Sequence, residues 1–214
     1  REEYLQLKTM LAPLPMPVYL MPGNHDSREL IRDVFNHHTY LPSSGYLQYT
    51  VENYPLRLIM LDTNVPGEGR GELDAERLTW LDTQLSKQPD KPTLLFMHHP
   101  PFTTGIELMD GYSLSGLAEL ESIVTKYSCI QRIGCGHIHR PIQKLWAGTL
   151  AYTVPSPVHQ VSLDLNATAK AATFTMEPPA YQLHLWQKDS GLVSHTQYIN
   201  DYEGPYSFFK PQNQ

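Results

Sequence analysis

The sequence of 214 residues has little cysteine, no long apolar run and no surplus of basic residues. Its two cysteines, Cys129 and Cys135, lie in one apolar run at an even spacing. In a strand they would share a face about 20 Å apart, too far for a disulfide, so we expect reduced, buried thiols. No run approaches the roughly 20 apolar residues that cross a bilayer, and the first residues lack signal-peptide character. We therefore expect a cytoplasmic protein without a membrane partner.

Charge also excludes one class of partner. The net charge is −6, from 16 Lys and Arg against 22 Asp and Glu, and no Lys/Arg stripe is present, which argues against general nucleic-acid binding. An anionic substrate would then need local positive charge, which bound divalent cations supply. The glycine-rich stretch from Pro66 to Gly71 lacks the spacing of a phosphate-binding loop, and we predict a flexible connection there.

The pattern of helices and strands indicates an α/β fold. Helical and strand segments alternate as far as residue 139, which is typical of a sheet with helical cover, and strands alone follow. From this change we predict a core over residues 1–152. A small cap or oligomer-contact segment over 153–179 and closing strands with an aromatic tail over 180–214 would follow it.

Polar residues end three apolar runs. Gly23-Asn24-His25-Asp26 follows the predicted strand Val18 to Leu20, His98-His99-Pro100-Pro101 follows Thr93 to Met97, and Gly136-His137-Ile138-His139 follows Cys129 to Cys135. The carboxyl ends of parallel strands meet at one edge of a sheet, so we expect the three motifs to converge.

The residue types in these motifs suit a metal-dependent hydrolase. Imidazole and amide oxygen bind Zn, Mn, Fe or Co, and paired metals about 3.5–4 Å apart neutralise a phosphoryl group and generate a nucleophilic hydroxide. We predict Asn24, His98, His137 and His139 as metal ligands, with the last two pointing to the same side of an extended segment.

Two further residues are predicted to act on the substrate. His25 would donate a hydrogen bond to a phosphoryl or leaving-group oxygen, and Asp26 would orient the His25 ring. His99 either lines the pocket or packs against Pro100. The remaining histidines have no partner at ligand spacing, and we predict that they are surface or loop residues: His37, His38, His159, His184 and His195.

The three motifs together resemble those of the calcineurin-like metallophosphoesterases, and most closely the branch of class III cyclic-nucleotide phosphodiesterases and bacterial glycerophosphodiesterases. The resemblance implies a four-layer αββα sandwich. It also implies that Asn24, His98 and His137 bind one metal, that His139 binds a second, and that His25 is the catalytic histidine. The region from Val154 to Pro179 is similar to the glycerophosphodiesterase group, in which it forms a cap and oligomer contacts.

The sequence departs from the family at its beginning. The family opens with Asp-x-His and Gly-Asp-x-x-Asp blocks, and neither occurs here, so the resemblance implies that a strand-helix-strand portion on the order of fifty residues is missing from this chain. We expect two divalent metal ions in the parent protein, and one or none in this chain, which alone would be weakly active or inactive.

The predicted function is therefore hydrolysis of a small diester, either a cyclic nucleotide or a glycerophosphodiester, by a metal-bound hydroxide. Two alternatives stay open. The chain is a non-catalytic remnant or fragment with a binding role, or it belongs to a phosphomonoesterase or nuclease, because the same metals serve all these reactions. A homo-oligomer is also expected.

Overall fold

The structure, a computed structural model, describes residues 1–209. Five α-helices lie in this part of the chain: α1 (Glu2–Leu11), α2 (Arg28–Val34), α3 (Ala75–Lys87), α4 (Glu107–Asp110) and α5 (Leu117–Lys126). The strands are β1 (Tyr49–Val51), β2 (Arg57–Leu61), β3 (Gly71–Glu72), β4 (Thr93–Met97), β5 (Leu114–Ser115), β6 (Ile130–Cys135), β7 (Ile142–Trp146), β8 (Thr149–Thr153), β9 (Gln160–Val161), β10 (Phe174–Thr175), β11 (Ala180–Gln187) and β12 (Gly191–Tyr198).

One six-stranded sheet forms the centre, in the order β1-β2-β4-β6-β8-β7. Strands β2, β4, β6 and β8 are parallel, whereas β1 and β7 are antiparallel to their neighbours at the two edges. The parallel strands are apolar along most of their length because helices and loops cover both faces. Their carboxyl ends lie at one edge, where the motifs that begin at His98 and Gly136 follow β4 and β6.

Helices α3 and α5 pack on one face of this sheet. Leu81, Leu85 and Leu120 are fully buried there against strand residues of β2, β4 and β6. Helix α3 begins where Asp74 accepts a hydrogen bond from the Arg77 amide, as the sequence predicts for an N-cap. The apolar face of each helix thus closes the core and fixes the strand ends.

The hairpin of β11 and β12 is joined to the opposite face of the sheet. His184 of β11 bonds to the Tyr152 hydroxyl of β8 across 2.8 Å and to the Ser194 hydroxyl of β12 across 2.7 Å. Along β11 the alternate side chains on the other side of the hairpin remain exposed. His184 is therefore a half-buried structural residue rather than a surface one.

The segment Val18 to Leu20 is not a strand, so that prediction is wrong. Its backbone is extended, but tyrosine side chains bind it. The Tyr40 hydroxyl accepts from the Leu20 amide at 2.9 Å, and the Tyr49 hydroxyl donates to the Leu20 carbonyl at 2.6 Å. The three residues are half-buried rather than buried, and the hydrogen-bond partners of Leu20 are hydroxyls rather than a neighbouring strand.

Helix α5 begins at Leu117, directly after a turn at Gly116. Gly116 has a left-handed backbone, with φ of 84°, and a Cβ atom there would lie 2.2 Å from the Leu73 carbonyl oxygen. Leu114 and Ser115 pair with β3 before this turn. The connection from Phe102 to Ser113 contains the short helix α4.

Three further expectations concern the cysteines, membrane-spanning helices and the boundaries of the segments. Both cysteines are buried and free. No helix in residues 1–209 is long and apolar enough to cross a membrane. Residues 153–179 contain the two-stranded pair of β9 and β10, and the boundaries of the three predicted segments stay predictions. The end of the aromatic tail, residues 210–214, lies outside the described residues.

Candidate metal and substrate site

The three polar motifs meet at the carboxyl edge of the sheet. The Gly136 amide, directly after β6, donates to the His98 carbonyl, directly after β4, at 3.0 Å. Ring centroids of His98 and His137 lie 5.1 Å apart. The convergence expected from strand ends is therefore present, and it brings an amide and two imidazoles together.

The side chains of His98 and Asn24 lie within hydrogen-bond distance of each other. His98 Nε2 lies 2.8 Å from Asn24 Oδ1, and in the Nε2–H tautomer the ring donates to this oxygen, because an amide oxygen only accepts. The ring fits only beside glycines: a Cβ atom on Gly23 would lie 2.9 Å from His98 Cε1, and one on Gly136 would lie 3.2 Å from His98 Nδ1. These two glycines are required by the ring packed against them.

His137 and His139 lie on an unusual backbone. The Ile138 amide donates to the Gly136 carbonyl at 2.7 Å, which makes a γ-turn with His137 at its centre. His137 has φ of 65° and His139 has φ of 50°. The left-handed region is disfavoured for residues with a Cβ atom, and such strain persists where the surrounding structure enforces it. The predicted extended segment with both rings on one side is thus replaced by a strained turn.

Burial leaves one His137 nitrogen without a partner. The residue is only 9% exposed, and its Nε2 atom is buried without a hydrogen bond to the described residues. An unpaired buried polar atom costs about 1–3 kcal/mol of desolvation free energy. A metal ion at this nitrogen would satisfy it, so the donor set of His98, Asn24 and His137 fits a divalent cation.

His99 has a different role from the ring beside it. Ligand nitrogens of His98, His99 and His137 all lie within 4.8 Å of one another, but both nitrogens of His99 are engaged. Nδ1 lies 2.8 Å from the Thr63 hydroxyl and Nε2 lies 3.1 Å from the Gly69 carbonyl oxygen. We assign His99 as a buried support for the cluster, which resolves the two alternatives left by the sequence.

Burial keeps the clustered imidazoles neutral. Desolvation, followed by the charges of neighbouring histidines, lowers the pKa of His98 to about 2 and that of His137 to about 4. Desolvation also lowers the pKa of His99 to about 4 and, with His159 and His25, lowers the pKa of His139. Neutral imidazole is the form that binds metals, so the site favours the ligand form near pH 7.

Asp26 holds the loop rather than the His25 ring. Its carboxylate accepts from the Gly23 amide at 2.7 Å and from the Tyr4 hydroxyl at 2.7 Å. The Tyr4 oxygen in turn accepts from the Ser27 amide at 2.9 Å. Both carboxylate oxygens are used in this way, which corrects the expectation that Asp26 orients His25. His25 itself is exposed.

Three residues after β2 support the site, and the sequence analysis gave them no role. The Asn64 side-chain amide donates to the Gly23 carbonyl at 2.6 Å and to the Asp26 carbonyl at 3.3 Å. Thr63 holds His99. Asp62 is fully buried and forms a two-point ion pair with Arg28, at 2.6 and 2.9 Å. The signal that could have found them is their place directly after β2, at the same edge of the sheet as the ends of β4 and β6.

The family model for calcineurin-like phosphoesterases matches residues 2–141. This range contains all three motifs. The chain belongs to this family. Divalent metals are therefore implied for the cluster at the strand ends.

Several curated relatives are similar to this phosphoesterase chain. A probable glycerophosphodiester phosphodiesterase of Arcobacter nitrofigilis is 42% identical over 214 residues, which are 100% of this chain and 78% of that protein. A glycerophosphodiester phosphodiesterase of Enterobacter lignolyticus is 31% identical over 97% of this chain and 74% of its own length. A 3',5'-cyclic adenosine monophosphate phosphodiesterase of Escherichia coli is 30% identical over 68% of this chain and 52% of its length.

A solved structure supports the fold. A dimetal phosphatase from Danio rerio superposes with a TM-score of 0.55 and 14% identity, over 91% of this chain and 76% of its own. At this identity the likeness concerns the fold alone. The α/β metallophosphoesterase fold with a mixed central sheet, implied by the motifs, is confirmed.

A cleft of about 510 Å³ opens beside the histidines of this phosphoesterase. Asn24, His25, His137 and His139 all line it. His159 lines it too, and its Nε2 lies 3.3 Å from His139 Nδ1. His159 is thus a loop residue, as predicted, but it contacts the site, which linear spacing could not reveal.

Proposed function

We propose that this protein hydrolyses small phosphodiesters with divalent metal ions held at the strand-end cluster. The observation that carries the proposal is the hydrogen-bonded pair of His98 and Asn24, which lies beside the His137 Nε2 atom that has no partner among the described residues. A donor set of neutral imidazoles and an amide oxygen matches borderline divalent metals. When bound, such metals act as Lewis acids on the phosphoryl oxygens and lower the pKa of water.

The residues of this chain divide the work. Asn24, His98 and His137 would hold one metal, and His139 would contribute to a second, with Mn, Fe, Zn and Co as candidates. His25 is exposed at the cleft, where it would donate a hydrogen bond to a phosphoryl or leaving-group oxygen. Asp26 would act indirectly, because it fixes the loop that carries both Asn24 and His25.

The proposed substrates are glycerophosphodiesters or cyclic nucleotides. Relatives named for both activities match this chain, and the two glycerophosphodiester phosphodiesterases match 100% and 97% of it, whereas the cyclic adenosine monophosphate phosphodiesterase matches 68%. The exposed position of His25 and the open cleft fit a small diester better than a folded macromolecule. The proposed partners therefore remain a small phosphodiester and, for assembly, further copies of the chain.

Metal-dependent hydrolysis tests the proposal. The chelated protein is titrated with Mn²⁺ or Zn²⁺ and assayed with bis(p-nitrophenyl) phosphate, with p-nitrophenyl phosphate as the monoester comparison. We expect turnover of the diester that requires metal and is lost in His98→Ala and in His137→Ala. His195→Ala is the control, since this exposed histidine lies in β12 away from the cluster.

The same titration counts the metals. Calorimetry on the chain would give one site or none under the sequence expectation, and two if His139 completes a second site with other groups. Metal binding without any turnover would favour the non-catalytic alternative. Turnover of the monoester alone would favour a phosphomonoesterase, and full activity in His137→Ala would refute the assigned ligands.

A further inference from the structure

The cleft beside the cluster has two kinds of lining. Its polar members are the site residues, His159 and Thr173, whereas the rest of its side chains are mainly apolar. The apolar lining residues are Met109, Tyr112, Val161, Ala172 and Phe174. Among the described residues that line it, none is Lys, Arg, Asp or Glu. One part of the cleft is therefore built for a phosphate and its metals, and the other for an uncharged group.

Resting on the proposed function, we infer that this apolar lining binds the second organic group of the diester and selects an aromatic or apolar group over a charged one. Phe174 and Tyr112 are the specificity-determining residues. A phosphodiester has two alcohol groups, and the one next to this lining meets aromatic and aliphatic carbon. A charged group there would lose hydration without gaining a counter-ion.

Phe174 is tied to the metal-ligand cluster by a short chain of contacts. Its ring centroid lies 4.8 Å from that of His159, and His159 bonds to His139. The backbone of Phe174 pairs with Val161, so β9 and β10 present both side chains to the cleft. The Phe174 side chain is 64% exposed, and an apolar substrate group would cover this surface and gain hydrophobic free energy.

Tyr112 is fixed on the side formed by the loop after β4. It packs against Gly69, where a Cβ atom would lie 2.6 Å from the Tyr112 ring, and its centroid lies 6.4 Å from His137 with the rings edge to face. Gly69 also accepts the hydrogen bond of His99. The aromatic lining and the buried histidine thus share one support, so the position of Tyr112 relative to the cluster is set by packing.

Three methyl diesters of similar intrinsic reactivity test the inference in the metal-loaded protein. Their second groups are benzyl, 2-aminoethyl and choline, and phosphorus NMR follows hydrolysis. We expect kcat/KM for the benzyl diester to exceed that for the aminoethyl diester on the order of tenfold. Phe174→Ala and Tyr112→Ala should reduce this ratio toward one, whereas Phe174→Leu and Tyr112→Phe should largely retain it.

Controls separate the inference from the proposed function. Phe208→Ala removes a fully exposed aromatic residue and should leave the ratio unchanged. Saturation-transfer NMR on the metal-free protein should show the benzyl protons in contact, and weaker contact in Phe174→Ala. A ratio near one in the wild type, or an unchanged ratio in both alanine variants, overturns the inference while hydrolysis stands. Preference for choline overturns it in favour of an aromatic site for a cation. Hydrolysis of none of the three refutes the proposed function as well.

Discussion

Two loops bring Asn24 and His137 to the cluster, and they are held by different means. The loop from Gly23 to Asp26 is held by hydrogen bonds from Tyr4 of α1 and from Asn64 after β2. A further hydrogen bond joins the Gly23 amide to the Asp26 carboxylate within the loop. The turn from Gly136 to His139 instead has two left-handed residues and a buried nitrogen without a partner. The first loop is thus held by hydrogen bonds within the protein itself.

This difference indicates where stability and function diverge. Removing a support of the first loop should reduce both the free energy of unfolding and the metal affinity, because the same bonds serve both. Relieving the strained turn should raise stability while it reduces metal binding. Strain of this kind costs on the order of 1–3 kcal/mol per residue, and functional sites are where it is usually retained.

The largest effect is expected for Asp62→Asn. The buried carboxylate pairs with Arg28, which is 10% exposed, and accepts from the Leu47 amide at 2.7 Å. Loss of its charge leaves a buried guanidinium uncompensated, so we expect the free energy of unfolding to fall by about 3–5 kcal/mol. Urea denaturation with and without metal measures this.

Asp82→Asn is the matched control. Asp82 also forms an ion pair, with Lys126 at 2.9 Å, but the side chains of Lys126 and Asp82 are 58% and 39% exposed. The Tyr127 hydroxyl donates to Asp82 Oδ1 at 2.8 Å, and an asparagine oxygen at this position would still accept that hydrogen bond. Exposed pairs contribute about 0–1 kcal/mol, so the variant should unfold close to the wild type. Equal losses in the two variants would show that burial of the Asp62 pair does not matter.

Acid should weaken the metal-free protein through the buried imidazoles. The pKa values of His99 and His137 fall to about 4, below the ordinary value of 6.5, so between these values the unfolded chain binds more protons than the folded one. Stability is therefore present above about pH 6.5 and is lost as the pH falls. We expect on the order of 1 kcal/mol per histidine between about pH 7 and about pH 5.5.

Thermal unfolding at a series of pH values, in chelator, measures this loss. In His99→Gln the free energy of unfolding should depend less steeply on pH, because one histidine fewer takes up a proton on unfolding. A stability that is flat over the same range would mean that the imidazoles are protonated in the folded protein, and the cluster would then not favour metals near neutral pH.

The sequence predicted the strands of the sheet better than it predicted the hydrogen-bond partners of the loops. Thr93–Met97 appears at the predicted bounds, since a short apolar run between a proline turn and a polar motif has few alternatives. Val18–Leu20 has the same apolar character but bonds to two tyrosine hydroxyls that lie 20 and 29 residues away in sequence. Local pattern specifies burial, whereas hydrogen-bond partners depend on tertiary placement.

The same limit applies to the site. The motif Gly136-His137-Ile138-His139 lies at the site because it follows a strand end, whereas Gly23-Asn24-His25-Asp26 follows no strand and is held there by side-chain hydrogen bonds. The partners of the ligand candidates lie elsewhere. Asp26 bonds to Tyr4, a residue of α1, and no spacing rule connects the two. The γ-turn at His137 could not be derived either, because an imidazole with positive φ is uncommon and depends on the packing around it.

A smaller effect on metal binding is expected for Asn64→Ala. Two hydrogen bonds to the carbonyls of Gly23 and Asp26 would be lost, which frees the loop that carries Asn24. Residues that orient ligands typically contribute 10- to 100-fold to metal affinity, and we expect a loss on the order of tenfold. Calorimetric titration with Mn²⁺ measures it, and Asn36→Ala, an exposed residue after α2, serves as the control. Unchanged metal affinity would show that the loop keeps its shape without the two hydrogen bonds from Asn64.

The smallest effect, and the one that separates the two loops, is expected for His139→Asn. Asparagine tolerates the left-handed backbone that His139 adopts with φ of 50°, so the metal-free variant should gain about 0.5 kcal/mol, offset in part by the lost contact with His159. Ala147 has φ of 49° in the turn between β7 and β8, before Gly148. Ala147→Asn creates the Asn-Gly pair that such turns favour and should gain a similar amount. Only His139→Asn should weaken metal binding, because the strain at Ala147 holds no ligand. If both variants gained stability and both kept full metal affinity, the strained turn would have no function to offset its cost, and His139 would not be a ligand.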